Sequence, residues 1–141
     1  MSFGKMVVLL YVVAFFGFSV PAFFYPAWFS GVLGYDFLSA GSYMEFMGAY
    51  GGLIFGVGVF LCYCLMNSIG TGLVAILSIV GCLFLGRVAG FAVEKETNIV
   101  QNSFLFIELL TIVLVAVALR MENRVVKSCV QADNNSLHSA H

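Results

Sequence analysis

Residues Met44–Met66, MEFMGAYGGLIFGVGVFLCYCLM, decide the fold. They form a run of 23 residues whose one charged side chain, Glu45, stands at its very start. About 20 apolar residues carry a helix across the hydrocarbon core of a bilayer. The run is apolar on every side, so it does not alternate as a barrel strand facing lipid on one side would. On either side of it, three more such runs appear: Met6–Phe24 (19 residues), Gly70–Phe91 (22) and Ser103–Leu119 (17). Ten of the thirteen charged residues lie outside these four runs.

Composition agrees. Of the 141 residues, 62% are hydrophobic and 9% charged, with a mean hydropathy of +1.05. A water-soluble domain carries roughly 25% charged residues, so this chain could not clothe itself in water. The net charge of −1 leaves no basic face for a nucleic acid. Four cysteines without a soluble secreted domain do not form a disulfide framework. The fold class predicted is an all-α membrane protein: four transmembrane helices in an up-down-up-down bundle, with an interfacial aromatic segment between helices 1 and 2. The transmembrane domain spans residues 1–120, and residues 121–141, rich in Asn, Ser and Ala, form a mobile cytoplasmic tail.

Lys5, Arg120, Arg124 and Lys127 flank the termini, whereas the loops on the opposite side, 25–43 and 92–102, hold only Lys95. The positive-inside rule therefore places both termini in the cytoplasm. Lys5 followed by an apolar stretch and Val20-Pro21-Ala22 imitates a signal peptide, but the stretch is long for a signal core and is expected to be retained. Asn67–Ile69 permits only a tight hairpin between the second and third spans.

The first outer loop carries Tyr25, Trp28, Phe29, Tyr35 and Phe37. Trp and Tyr favour the headgroup region, which makes this segment an interfacial anchor or a lid. Pro26 can open a short helix, and Gly31 and Gly34 can end it. Ser42-Tyr43-Met44-Glu45 fits a capping box for the second span.

Glu45, Arg87 and Glu108 supply one charge to each of the last three spans. Antiparallel threading brings them to similar depth: Arg87 about 6 Å and Glu108 about 7–8 Å from their outer helix ends at the helical rise. A charge at that depth costs about 3 kcal/mol unless it pairs, and an arginine fork can serve two carboxylates. The expectation is a Glu–Arg–Glu cluster that is either a clasp fixing helix register or a site for an ion or ligand, the remaining alternative being that Glu45 simply caps its own helix and faces headgroups. Glu45, Gly48, Gly52 and Gly56 fall on one helix face by their spacing, while Gly86 and Gly90 close the third span. Such small-residue faces let a second helix approach closely. A helix of this chain is the first expected occupant; a partner protein or lipid would be the others.

Cys62-Tyr63-Cys64 is no redox pair, because residues two apart on a helix diverge. Cys82 is a small apolar filler, and Cys129 lies near basic residues of the tail. His138 and His141 have no ligand spacing around them, and no span contains a histidine. No metal site, cofactor site or catalytic motif is legible.

The run Glu45-Phe46-Met47-Gly48-Ala49-Tyr50-Gly51-Gly52, then Phe55-Gly56-Val57-Gly58, resembles the glycine-rich second helix of a family of small bacterial four-helix membrane proteins of unknown function. Gly86-Arg87-Val88-Ala89-Gly90-Phe91 is similar to the family's third-helix ending, Glu108-Leu109 to part of its fourth, and Tyr25-Pro26 through Gly34 to its first loop. The likeness covers residues 6–120. It departs at Met47 and Gly48, where the family usually has an Arg, which would leave this cluster more acidic. A more distant likeness is to DoxX-like membrane proteins, some of which accompany quinone-linked oxidoreductases. Those resemblances imply a bacterial inner-membrane location but bring no settled activity. Three functions are compatible with these readings. The first is a non-catalytic membrane protein binding a partner or lipid through its glycine face and aromatic loop. The others are a proton- or ion-coupled transporter centred on the charge cluster, and an accessory subunit offering a quinone an apolar slot.

Overall fold

The computed structural model describes residues 2–94 and 99–138, with side chains for 2–93 and 99–124. Lys95 and His141 lie outside the described residues, as do the side chains of Lys127, Cys129 and His138. The described chain is helical throughout its regular parts, and four of its helices are long and apolar enough to cross a membrane: Phe3–Phe24, Ala40–Asn67, Ile69–Val93 and Ile99–Arg124. Large apolar side chains cover their outward faces, among them Leu10 (59% exposed), Val13 (63%) and Leu85 (67%). Patches of that extent belong against lipid. The protein is a multi-pass membrane protein.

Helix α1 (Phe3–Phe24) starts at Ser2, whose hydroxyl accepts from Lys5 N at 3.3 Å. Tyr25 comes next, and Pro26 opens α2 (Pro26–Leu33), its missing N–H being no loss at a helix start. Gly34 ends α2 in the left-handed region (φ 83°), where a Cβ would be strained. Tyr35 N then returns to Ser30 O at 2.8 Å. The short helix expected between Pro26 and Gly34 is present, with Gly31 inside it.

The second span begins earlier than expected. Ser39, not Ser42, caps α3 (Ala40–Phe46): its hydroxyl accepts from Ser42 N, and the Ser42 hydroxyl accepts from Ser39 N. Serine at the third helical position completes the reciprocal box, so Glu45 is not needed for capping. From Met47 to Leu53 the span is a π-helix, before α4 (Ile54–Asn67) restores the α form. Its i→i+5 bonding accommodates an additional residue per turn, which rotates the rest of the span by about 100° relative to an α-helical count.

Ser68 alone separates α4 from α5 (Ile69–Glu94), its hydroxyl meeting Thr71 Oγ1 at 2.8 Å. Gly72 makes this hairpin tight. A Cβ there would lie 3.1 Å from Cys64 Cβ and 3.2 Å from a Val8 methyl. Helix α6 (Ile99–His138) does not end near Leu119; its backbone stays helical to His138.

Two buried clusters organise the bundle. Val8, Val12, Leu61, Leu73, Ile76, Val115 and Ala118 fill the half nearer the N-terminus. Ala22, Phe29, Leu33 and Phe46 form the other, with Phe18, Tyr50 and Phe104 against them. In that second cluster α2 caps one end of the bundle.

Candidate functional site

On α6, Gln101, Phe104 and Glu108 stand at i, i+3 and i+7 and so share a face. Arg87 of α5 meets that face. Its Nε donates to Glu108 Oε1 at 2.8 Å, its Nη1 donates to Gln101 Oε1, and its Cζ sits 4.7 Å over the Phe104 ring. Gln101 passes the connection on, donating through Nε2 to Leu33 O at the end of α2 (3.3 Å). The arginine fork is thus spread over a carboxylate, an amide and an aromatic face. The Arg87 side chain is 24% exposed and that of Glu108 only 9%. Glu108 Oε2 is buried with no hydrogen-bond partner.

Glu45 takes no part. It is exposed, and borders a surface hollow with Gly41, Met44, Gly48, Ala49 and Leu53. Phe46 and Tyr50 hold the inward face of this span instead, stacked at 4.8 Å. The three-membered clasp is therefore corrected to an Arg87–Glu108 pair with Gln101 as third partner, and the pair carries no net charge.

The glycine face is corrected too. A Cβ added at Gly48, Gly56, Gly86 or Gly90 would meet nothing within 4 Å, and at Gly52 only ordinary contacts at 4.0 Å. Apart from the tip of the Phe23 ring at Gly52, no helix of this chain packs into that stripe among the described residues. The close approaches fall on Gly51, 3.1 Å from the Phe23 ring, and Gly58, 3.1 Å from Phe16. These neighbours of the predicted stripe, seven residues apart, are the glycines of this span that face α1.

The aromatic segment divides. Tyr25 and Trp28 are exposed (67% and 64%), whereas Phe29 is buried, edge-on to Phe18 at 4.8 Å. Tyr35 hydrogen-bonds the Tyr50 hydroxyl at 3.0 Å. Outer residues can anchor while inner ones cover.

Beneath them all four spans enclose a partly open cavity of about 190 Å³. Tyr11, Phe15 and Phe18 of α1 line it, as do Tyr50 and Ile54 of the second span, Leu83 and Arg87 of α5, and Phe104, Glu108 and Thr111 of α6. Thr111 donates to Ile107 O at 2.8 Å, so the Tyr11 hydroxyl donates to Thr111 Oγ1. Those two hydroxyls are thereby engaged. Among the described residues no group of three or more His, Cys, Asp or Glu side chains could hold a metal ion.

Gln101 escaped the sequence reading because it precedes the apolar run. Its spacing of seven from Glu108 was the available signal. The cavity itself had none, since its walls are ordinary apolar and aromatic residues.

No curated protein and no solved structure matches this chain. Residues 3–119 match the family model described as Domain of unknown function (DUF4345), and the chain belongs to that family.

Proposed function

We propose that this DUF4345 chain is a non-catalytic binding protein of the membrane, which holds a small lipophilic ligand between its four spans. The cavity carries the reading, because all four spans wall it and a half-buried charge pair lies on one side. Apolar pockets with a few convergent polar groups are the usual form of small-ligand sites. The aromatic segment serves as anchor through Tyr25 and Trp28 and as cover through Phe29, whose partner Phe18 lines the cavity. Both termini lie on the cytoplasmic side of the membrane, as the distribution of Lys and Arg favours.

Transport is less well supported. One turn beyond Tyr11, Val80 and Thr111, the apolar cluster of Val8, Ile76 and Val115 closes the bundle, giving an ion no polar continuation. The exposed Gly48 and Gly56 carry no cue to an occupant, so binding of a partner protein there ranks behind the cavity. Extraction of the protein in native lipid discs, followed by mass spectrometry of small lipophiles, tests the proposal. Enrichment over bulk lipid is expected, with loss on Ala14→Phe, which would plug the cavity from an exposed position on α1. Equal lipophile content in parent and variant refutes it.

A further inference from the structure

We infer that the ligand class is a neutral lipophile with a single aromatic ring bearing a hydroxyl or N–H, its hydrogen directed at Glu108 Oε2. The inference rests on the lipophile-binding reading and deepens it. Glu108 Oε1 already accepts from Arg87, whereas Oε2 is a buried acceptor without a donor. Buried polar atoms are rarely left in that state. The Tyr11 and Thr111 hydroxyls bond within the wall, and the Tyr50 hydroxyl bonds Tyr35. Among the described residues Oε2 is the one buried side-chain polar atom without a hydrogen-bond partner, and what it lacks is a hydrogen.

Charge narrows the class. Arg87 and Glu108 cancel, so a cationic head would leave a net charge at membrane depth. An anion would meet the Glu108 carboxylate, and Arg87 already spends its Nε on Glu108 and an Nη1 hydrogen on Gln101. Acceptor-only heads, such as a ketone, an ether or an oxidised quinone, bring no hydrogen and would leave Oε2 without a donor. A neutral donor satisfies the site at no electrostatic cost. A hydrogen bond to a charged acceptor is also among the stronger kinds.

Size narrows it further. An apolar cavity of about 150 Å³ accommodates benzene, so about 190 Å³ takes one ring with one or two small substituents. Phe18, Tyr50 and Phe104 offer it ring faces and edges. Leu83 (41% exposed) and Ile107 (54%) also border the cavity, so a tail on the ring can leave toward lipid between α5 and α6.

The test is a ¹⁹F NMR titration of the protein in lipid nanodiscs with 4-fluorophenol and 4-fluorotoluene, which are similar in size and differ in the donor. Empty nanodiscs correct for partition into lipid. The expected result is at least about tenfold tighter binding of the phenol, the low end for a hydrogen bond to a charged group. The double variant Arg87→Leu/Glu108→Leu removes the pair without stranding either charge. It should still bind the toluene and lose the preference. Equal binding of both probes to the parent would overturn the donor inference, since water then satisfies Oε2, and would leave the cavity reading standing. A phenol preference that survives in the double variant would overturn it as well. If neither probe binds the parent beyond empty nanodiscs and beyond Ala14→Phe, the cavity reading itself falls and the inference with it.

Discussion

Replacing Arg87 by Leu strips Glu108 of its counter-charge in a place water scarcely reaches. The Glu108 side chain is 9% exposed and its second oxygen already lacks a partner, so the substitution leaves a carboxylate with neither oxygen satisfied. Removing one member of a buried pair costs about 3–5 kcal/mol. The contact over Phe104 adds about 0.5–2 kcal/mol, toward the lower figure because Arg87 is 24% exposed. Gln101 Oε1 loses a donor as well. A total of about 4 kcal/mol is expected from reversible unfolding in bicelles titrated with SDS and followed by circular dichroism. Arg87→Leu/Glu108→Leu should return to within about 1 kcal/mol of the parent, since an apolar pair of similar volume often replaces a buried ion pair without loss. A single variant that loses less than about 1 kcal/mol, or a double variant as unstable as the single, would refute the pairing. In the first case the guanidinium extends to headgroups instead.

Gly51→Val should destabilise by about 1–3 kcal/mol because its Cβ would press on the Phe23 ring. Gly56→Ala, with nothing within 4 Å, should be neutral or stabilise by up to about 1 kcal/mol through helix propensity; the same unfolding assay compares them, and an equal loss at both refutes the assignment. Gly34→Ala should cost about 1–2 kcal/mol by forcing a Cβ into the left-handed turn after α2. Faster amide exchange in residues 26–33 would register that loss, and unchanged exchange would contradict it. Tyr35→Phe and Tyr50→Phe should each lose about 0.5–1.5 kcal/mol, and the double variant little more than either, because one hydrogen bond is shared. Full additivity in the double-mutant cycle would show that the hydroxyls act separately.

The four spans were legible because lipid demands apolar residues around the whole helix, which a reader can find without knowing which face packs. Faces were harder. The count from Glu45 through Gly48, Gly52 and Gly56 assumed 3.6 residues per turn, and the π-helix from Met47 to Leu53 breaks that assumption. Gly51 and Gly58, seven apart, form a second glycine face, and it is this one that meets α1. Arg87 and Glu108 could be paired from depth alone, since antiparallel neighbours leave few partners at one level. Glu45 has that depth too, but depth does not say which way a side chain points. The start of the second span was misplaced because Ser39 and Ser42 make the box together, a pattern that lacks the acidic residue sought. The orphaned oxygen and the cavity arise from how four helices fail to close completely, and no local pattern encodes such a gap.

The cancellation of Arg87 against Glu108 has an electrical consequence. A lone charge displaced across a membrane exchanges about 2.3 kcal/mol with the field per 100 mV. The bound pair, moving as one body, exchanges almost none, and a neutral guest adds none. Helices α5 and α6 can therefore shift at this level without being pushed by the membrane potential, and occupancy by the proposed ligand would follow its concentration in the bilayer rather than the energised state of the cell.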